Sequence, residues 1–292
     1  MTDSINNGIV EIKAKRLGAE LTSIKNMASG LEYLWRGDGK YWGGQSYNLF
    51  PLIGGVPKDT YLLDGRSYNI KSHGFARNSE FELYSKTDKK LVYRLKASEE
   101  LLRQYPYEFE LFVSYELEGN VLKHGFKVNN LSRAEMLFSV GGHPGFNCPL
   151  NENESMDDYT LVFETEETAY TRRKADGFLT GEKKLFLNNE KEKKLSHSMF
   201  YDGPIILQEL KSGWVEIKNS KNSHVIRVDF KGFPYLGIWS TTNDGPFVCI
   251  EPWYGVDSTV GDSPDFTEKE GLRRLEAGSS FECGYTMEFK GD

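Results

Sequence analysis

General acid–base chemistry needs a carboxyl group and a histidine held away from bulk water, and this chain offers both. The run Phe247-Val248-Cys249-Ile250-Glu251-Pro252-Trp253-Tyr254-Gly255 is the most apolar strand-like stretch of the 292 residues, and Glu251 is its single acid. Burying an unpaired carboxylate costs several kcal/mol, so an acid placed there calls for a partner or a task. Pro252 cannot donate to a sheet ladder, which puts the end of the strand at or beside Glu251, on a sheet rim walled by aromatic rings. A catalytic base fits that position. So does a rim carboxylate satisfied by backbone N–H groups, and position alone does not separate the two.

Histidine titrates near neutral pH and serves as acid or base. His73 lies in Lys71-Ser72-His73-Gly74-Phe75-Ala76-Arg77, where Gly74 lets backbone approach closely and Arg77 can bind a hydroxyl or a phosphate. His143 lies in Ser139-Val140-Gly141-Gly142-His143-Pro144-Gly145-Phe146-Asn147, where glycines around a His-Pro pair read as a tight loop that projects the imidazole. Taken singly, each is better read as a loop histidine capping carbonyls. His124 shares a strand face with Leu122, Phe126 and Val128 and reads as a satisfied core histidine, while His197 and His224 read as surface residues. No two histidines have the i, i+2 or i, i+4 spacing of a preorganised metal site, so no metal is expected. A nucleophile elbow, a phosphate-cradling loop and a dinucleotide fingerprint are all missing, and no cysteine has an adjacent His or cation to favour a thiolate. What remains is two Gly-flanked histidines, one glutamate, and the rings of Trp35, Trp42, Trp239, Trp253 and Tyr254, which suit stacking on a sugar.

The elements that must hold these groups are strands. Apolar residues alternate from Phe109 to Leu117, Gly119-Asn120 makes a turn, and Leu122, His124, Phe126 and Val128 line the return strand. Phe81 to Leu95 reads as a second hairpin turning at Thr87–Lys90. Further strands are expected near Leu161–Phe163, Ile205–Leu210, Val215–Ile217, Val225–Phe230, Leu236–Trp239 and Phe281–Phe289. Thr267-Glu268-Lys269-Glu270 has capping-box spacing and predicts one short helix before Gly278. Asn151–Asp158 and Asn188–Lys194 read as solvated loops. Short strands without alternating helices predict an all-β fold, a large antiparallel β-sandwich over residues 1–292 as a single domain.

Twenty-nine glycines and 13% aromatics agree with strands and turns. A net charge of −7 with interspersed Lys and Arg argues against nucleic acid or an anionic membrane as partner. No signal peptide or membrane span is visible, and three widely spaced cysteines form no disulfide framework, so a cytoplasmic setting is expected. Nothing specifies an oligomeric state.

His73-Gly74-Phe75-Ala76-Arg77, Gly142-His143-Pro144-Gly145-Phe146-Asn147 and Cys249-Ile250-Glu251-Pro252-Trp253-Tyr254-Gly255, in this order, resemble the aldose 1-epimerase family, and more narrowly its LacX-type, galactose mutarotase-like branch. Gly18-Ala19-Glu20-Leu21-Thr22-Ser23-Ile24, Glu32-Tyr33-Leu34-Trp35 and Asn48-Leu49-Phe50-Pro51-Leu52-Ile53-Gly54 also fit. The resemblance implies a supersandwich fold and interconversion of the α and β anomers of an aldose, a small-molecule hexose, without metal or cofactor. It implies Glu251 as the base at O1, His143 as the acid at the ring oxygen O5, and His73 as a hydrogen-bonding partner there. Each such acid or base is typically worth about 10²–10⁴-fold in rate. Arg77, Asn48 and Trp253 would bind substrate, with Asp202 matched to the family's hydroxyl-binding Asp. Where the branch commonly has an Arg after Ile-Gly, this chain has Gly55, and Lys58 is the nearest replacement, a point charge without the guanidinium fork. Two alternatives share the fold: a hexose-6-phosphate 1-epimerase with Arg77 and Lys58 on the phosphate, and a non-catalytic sugar-binding protein.

Overall fold

Period-two alternation shapes the architecture. In a computed structural model that describes residues 1–291, the strands Phe109–Glu118 and Val121–Asn130 pair antiparallel with Leu117 opposite Leu122 and Val113 opposite Phe126. They lie within a nine-stranded sheet in which Ser280–Lys290 pairs with Val121–Asn130, and Val225–Asp229 pairs with Ser280–Lys290. A second sheet has five strands in the order Ile205–Gln208, Tyr235–Trp239, Phe247–Tyr254, Val140–Asn147, Ser46–Leu49. Leu111, Val113, Leu122 and Met287 of the larger sheet share one buried core with Leu236, Ile238, Val248 and Ile250 of the smaller, making the all-β antiparallel sandwich expected.

The strand Phe247–Tyr254 is covered on both faces, which explains its nearly unbroken apolar run. Val248 and Ile250 point into the common core. Phe247 and Cys249 pack instead with Trp35, and Trp253 with Leu49, Ile53 and Val256, on the opposite face. The strand does not end beside Glu251. It continues through Pro252 to Tyr254, with Glu251 opposite Gly237 and Pro252 opposite Leu236. The ladder to the other neighbour is open between the Gly145–Cys249 and Gly141–Trp253 pairs. Pro144 and Pro252 fall within that opening, and neither has an N–H to give. The His143 segment, expected as a loop, is thus part of the strand Val140–Asn147.

Three local expectations change. The helix near the C-terminus is a 3-10 turn, Phe266–Glu268, capped by Asp265 rather than Thr267, and a short strand, Arg273–Leu275, follows it. An α-helix forms at Glu99–Gln104, where the Ser98 side chain accepts from Leu101 N–H. Asn188–Lys194 is strand rather than loop, the last part of a long hairpin made of Tyr159–Ala175 and Phe178–Lys194. The tip of this hairpin is fastened to the smaller sheet's outward side: Leu179 N–H donates to Ser258 O (3.0 Å) and Val260 N–H to Leu179 O (2.7 Å). Among the described residues no helix is long and apolar enough to cross a membrane.

Candidate active site

Glu251 and His143 occupy facing positions on neighbouring strands, inside the open stretch of ladder, with Oε2 3.1 Å from Nε2. Both are buried. Gly141 and Gly145 precede and follow His143 by two residues and so share its face of the strand. A Cβ at either position would press on an indole, Trp253 or Trp42 respectively, at 2.9 Å. Their bareness lets the rings close in: Trp42 lies 4.8 Å and Trp239 5.5 Å from the imidazole, centroid to centroid.

His73 enters from the loop below, its ring 6.0 Å from that of His143. Its backbone is held at φ +66°, a region that non-glycine residues adopt at a cost and that recurs at functional sites. His73 N–H donates to Gly54 O (2.8 Å), and Gly54 N–H donates to His73 Nδ1 (3.3 Å). With Nδ1 accepting, the neutral ring carries its proton on Nε2. Arg77 donates to Ser72 O (3.0 Å) and lies over the Tyr47 ring at 5.3 Å; among the described residues no carboxylate pairs with it. Gly54 sits at φ +68°, and a side chain there would enter the Asp257 carboxylate. Asp257 Oδ1 accepts from Gly55 N–H (3.1 Å), and its Oδ2 pairs with Lys174 Nζ (2.8 Å).

Burial governs the protonation states. It raises the Glu251 pKa well above the usual carboxylate range, with Lys174 pulling it back and Asp257 pushing it further up. It holds His143 well below the usual histidine range, with His73 and Arg77 adding to the effect. His73 is lowered to about 3 by burial and then by Arg77, Lys174 and Lys269. Burial thus favours uncharged imidazoles and a protonated Glu251 carboxyl. Glu251 Oε2, His143 Nδ1 and Trp253 Nε1 find no aligned hydrogen-bond partner in the protein, although buried polar groups usually have one. His143, Cys249 and Glu251 also bring ligand atoms within 4.8 Å of one another. Burial raises the Cys249 thiol well above the usual thiol range, with Glu251 adding to the effect.

The aldose 1-epimerase family model matches residues 2–267. The chain belongs to the aldose 1-epimerase family. Protein LacX of Lactococcus lactis subsp. lactis, in its plasmid form, is 37% identical over 284 residues, covering 94% of this chain and 95% of that protein; the chromosomal form gives the same figures. Among solved structures, a galactose mutarotase related enzyme from Lactobacillus acidophilus superposes with TM-score 0.96 at 31% identity, over 100% of this chain and 98% of that one. A galactose mutarotase-like protein from Lactobacillus casei gives 0.93 at 30%, over 99% and 100%.

In this member of the aldose 1-epimerase family the fold brings Glu251, His143, His73, Arg77 and Trp253 together, and it leaves three other expected residues outside. Asn48 fails by strand parity. On the strand Ser46–Leu49, Tyr47 and Leu49 face the site side, whereas Asn48 points into the core. There its amide donates to Gly18 O, Ala19 O and Tyr115 Oη and its oxygen meets His124 Nε2, which leaves nothing for a substrate. Asp202 is exposed, pairs with Lys184 Nζ at 3.2 Å, and borders a separate cleft of about 350 Å³ with Phe186 and Met199. Lys58 is exposed on a turn at φ +57° and makes no ion pair among the described residues. Three contributors escaped the sequence reading. Tyr47 was signalled by its parity with Leu49, and Asp257 by being the next acid after Glu251. Lys174 carries no local signal, because only the closure of the long hairpin delivers it.

Proposed function

We propose that this protein is an aldose 1-epimerase that interconverts the α and β anomers of a hexose by acid–base ring opening. The observation that carries the reading is the Glu251–His143 pair, an acid and a base 3.1 Å apart at facing sheet positions in a buried setting. In the reactive form Glu251 is a carboxylate and His143 an imidazolium. Glu251 takes the proton of the O1 hydroxyl as the C1–O5 bond breaks, and the bond pair leaving with O5 is protonated by His143. The product is the open-chain aldehyde, with Glu251 protonated and His143 neutral. Rotation about C1–C2 turns the other carbonyl face to O5. His143 then takes the O5 proton as that oxygen attacks C1, and Glu251 returns its proton to O1.

Burial favours the proton on Glu251 and a neutral His143, the same distribution as in the open-chain state. The reactive form differs from it by one proton moved across the pair. A hydroxyl donated to Glu251 and a ring oxygen accepting from His143 favour that move, which is how binding prepares the site. His73, protonated on Nε2, supplies a neutral donor near O5. The unpaired Arg77 and the indole of Trp253 suit the remaining hydroxyls and the sugar's apolar face.

The test is NMR exchange or polarimetry on freshly dissolved α-galactose and α-glucose and on their 6-phosphates. Galactose comes first because a solved relative is described as a galactose mutarotase related enzyme. Wild type should equilibrate at least one of these sugars well above the buffer rate, and Glu251→Gln should lose about 10²–10⁴-fold. If no sugar equilibrates faster than in buffer, the reading is wrong.

A further inference from the structure

The tip of the Tyr159–Ala175/Phe178–Lys194 hairpin belongs to the nine-stranded sheet yet ends on the opposite side of the smaller one, against the site. Its turn, Asp176-Gly177, has positive φ at both residues (50° and 86°), the geometry of a tight hairpin turn. Leu179 is fully buried there with Ile53 and Trp253. The hairpin delivers two side chains. The Phe178 ring lies 3.5 Å from where a Cβ of Gly55 would stand. Lys174, its side chain 20% exposed, reaches Asp257, whose own side chain is 4% exposed.

From Lys174 Nζ a continuous path runs through Asp257 Oδ2 and Oδ1 to Gly55 N–H, and along the chain to Gly54, whose N–H meets His73 Nδ1. A Cβ at position 55 would lie in ordinary contact with the Phe178 ring, and the hairpin brings its own cation, Lys174, to the adjoining Asp257. We propose that the Lys174–Asp257 pair is the sugar-hydroxyl recognition element of this site, Lys174 donating to and Asp257 accepting from the same hydroxyl or an adjacent pair. The proposal rests on the epimerase reading. It replaces both Asp202 and Lys58 in the roles first expected of them.

A lysine beside a buried aspartate keeps two free ammonium protons, and its partial exposure gives a ligand access to them. Glu251, Asp257, Arg77, His73 and Lys269 are the charged or titratable groups that share its field, and Lys174 is the strongest influence lowering the Glu251 pKa. Lys269 is itself buried, donates to Val256 O, and is held at about 8, so it serves the loop backbone rather than the substrate.

The decisive comparison sets wild type against Lys174→Met and Lys174→Arg, using the preferred hexose and its monodeoxy analogues. Lys174→Met should raise KM about 10- to 100-fold, the range for losing a hydrogen bond to a charged group, with a smaller change in kcat. One deoxy position that penalises wild type should cease to penalise Lys174→Met. The alkaline limb of its kcat profile should move to higher pH, because Glu251, which holds the pair's proton, loses the cation that pulls its pKa down. Lys174→Arg should recover most of the KM. Unchanged KM, deoxy pattern and pH limb in Lys174→Met would overturn the assignment while leaving the epimerase reading untouched. If wild type turns over no hexose, the epimerase reading falls instead, and calorimetric Kd values across the same panel decide the pair: equal values in wild type and Lys174→Met overturn it.

Discussion

His124 and His143 are both buried strand histidines, and both are kept neutral chiefly by burial, yet their surroundings are opposites. His124 Nδ1 lies 2.6 Å from Tyr285 Oη and its Nε2 2.9 Å from Asn48 Oδ1, and the Asn48 amide is bonded onward to Gly18 and Ala19. Around His143 the hydrogen bonding stays open: its Nδ1 lacks a partner, and its Nε2 faces Glu251 Oε2 at 3.1 Å without an aligned hydrogen bond. Burial alone therefore sets the charge state, while the completeness of the hydrogen bonding decides whether a group is committed to the fold or available to a substrate.

Exchanging each histidine for phenylalanine gives the sharpest contrast. His143→Phe should lower kcat about 10²–10⁴-fold, the typical worth of one general acid, with a smaller loss of thermal stability than His124→Phe because no aligned hydrogen bond is broken. His124→Phe should leave Asn48 and Tyr285 without their partner and lower stability by about 1–3 kcal/mol in chemical denaturation, with far less effect on kcat. If the two variants show the same pattern, the distinction between them collapses.

The pH dependence of stability comes next. The His124 pKa is lowered in the folded state to about 3, so its contribution is complete above the unfolded value and is lost as pH falls from there toward 3. That amounts to on the order of 3 kcal/mol by pH 4, and His124→Phe should flatten this part of the acid limb. Glu251 has the opposite sign. Its raised folded pKa gives a contribution complete below the ordinary carboxyl value and lost as pH rises through the folded pKa, so Glu251→Gln should gain stability over wild type in alkaline buffer. A Glu251→Gln variant less stable than wild type at pH 8 would mean that the carboxyl is structurally committed after all. The smallest effects belong to the exposed candidates: Asp202→Ala and Lys58→Ala should hold kcat/KM within about twofold, the usual range for surface substitutions.

Much of this was legible in the amino-acid order. Alternation placed Phe247, Cys249, Glu251 and Trp253 on one face and His124 in the core, because period two follows directly from strand geometry. The segments around His73, His143 and Glu251 pointed to the family. The failures have physical causes too. The motif Asn48-Leu49-Phe50-Pro51 named a segment but not its facing, and one position of parity moves the site side chain from Asn48 to Tyr47. Pro252 suggested a strand end, yet the strand tolerates it beside an opening in the ladder. Asp257 meets Gly55 across 202 positions, and Lys174 meets Asp257, only through tertiary closure.

The opening in the ladder between the Val140–Asn147 and Phe247–Tyr254 strands has a mechanical meaning. Paired residues on both sides of it hold the two strands at the ordinary sheet repeat of about 4.8 Å, so the gauge between acid and base is that of the sheet and owes nothing to a loop. The hairpin tip closes on this gauge from outside, like an interchangeable jaw meeting a fixed one. Substitutions in that jaw can retune which sugar is gripped while the proton-transfer distance stays as it was machined.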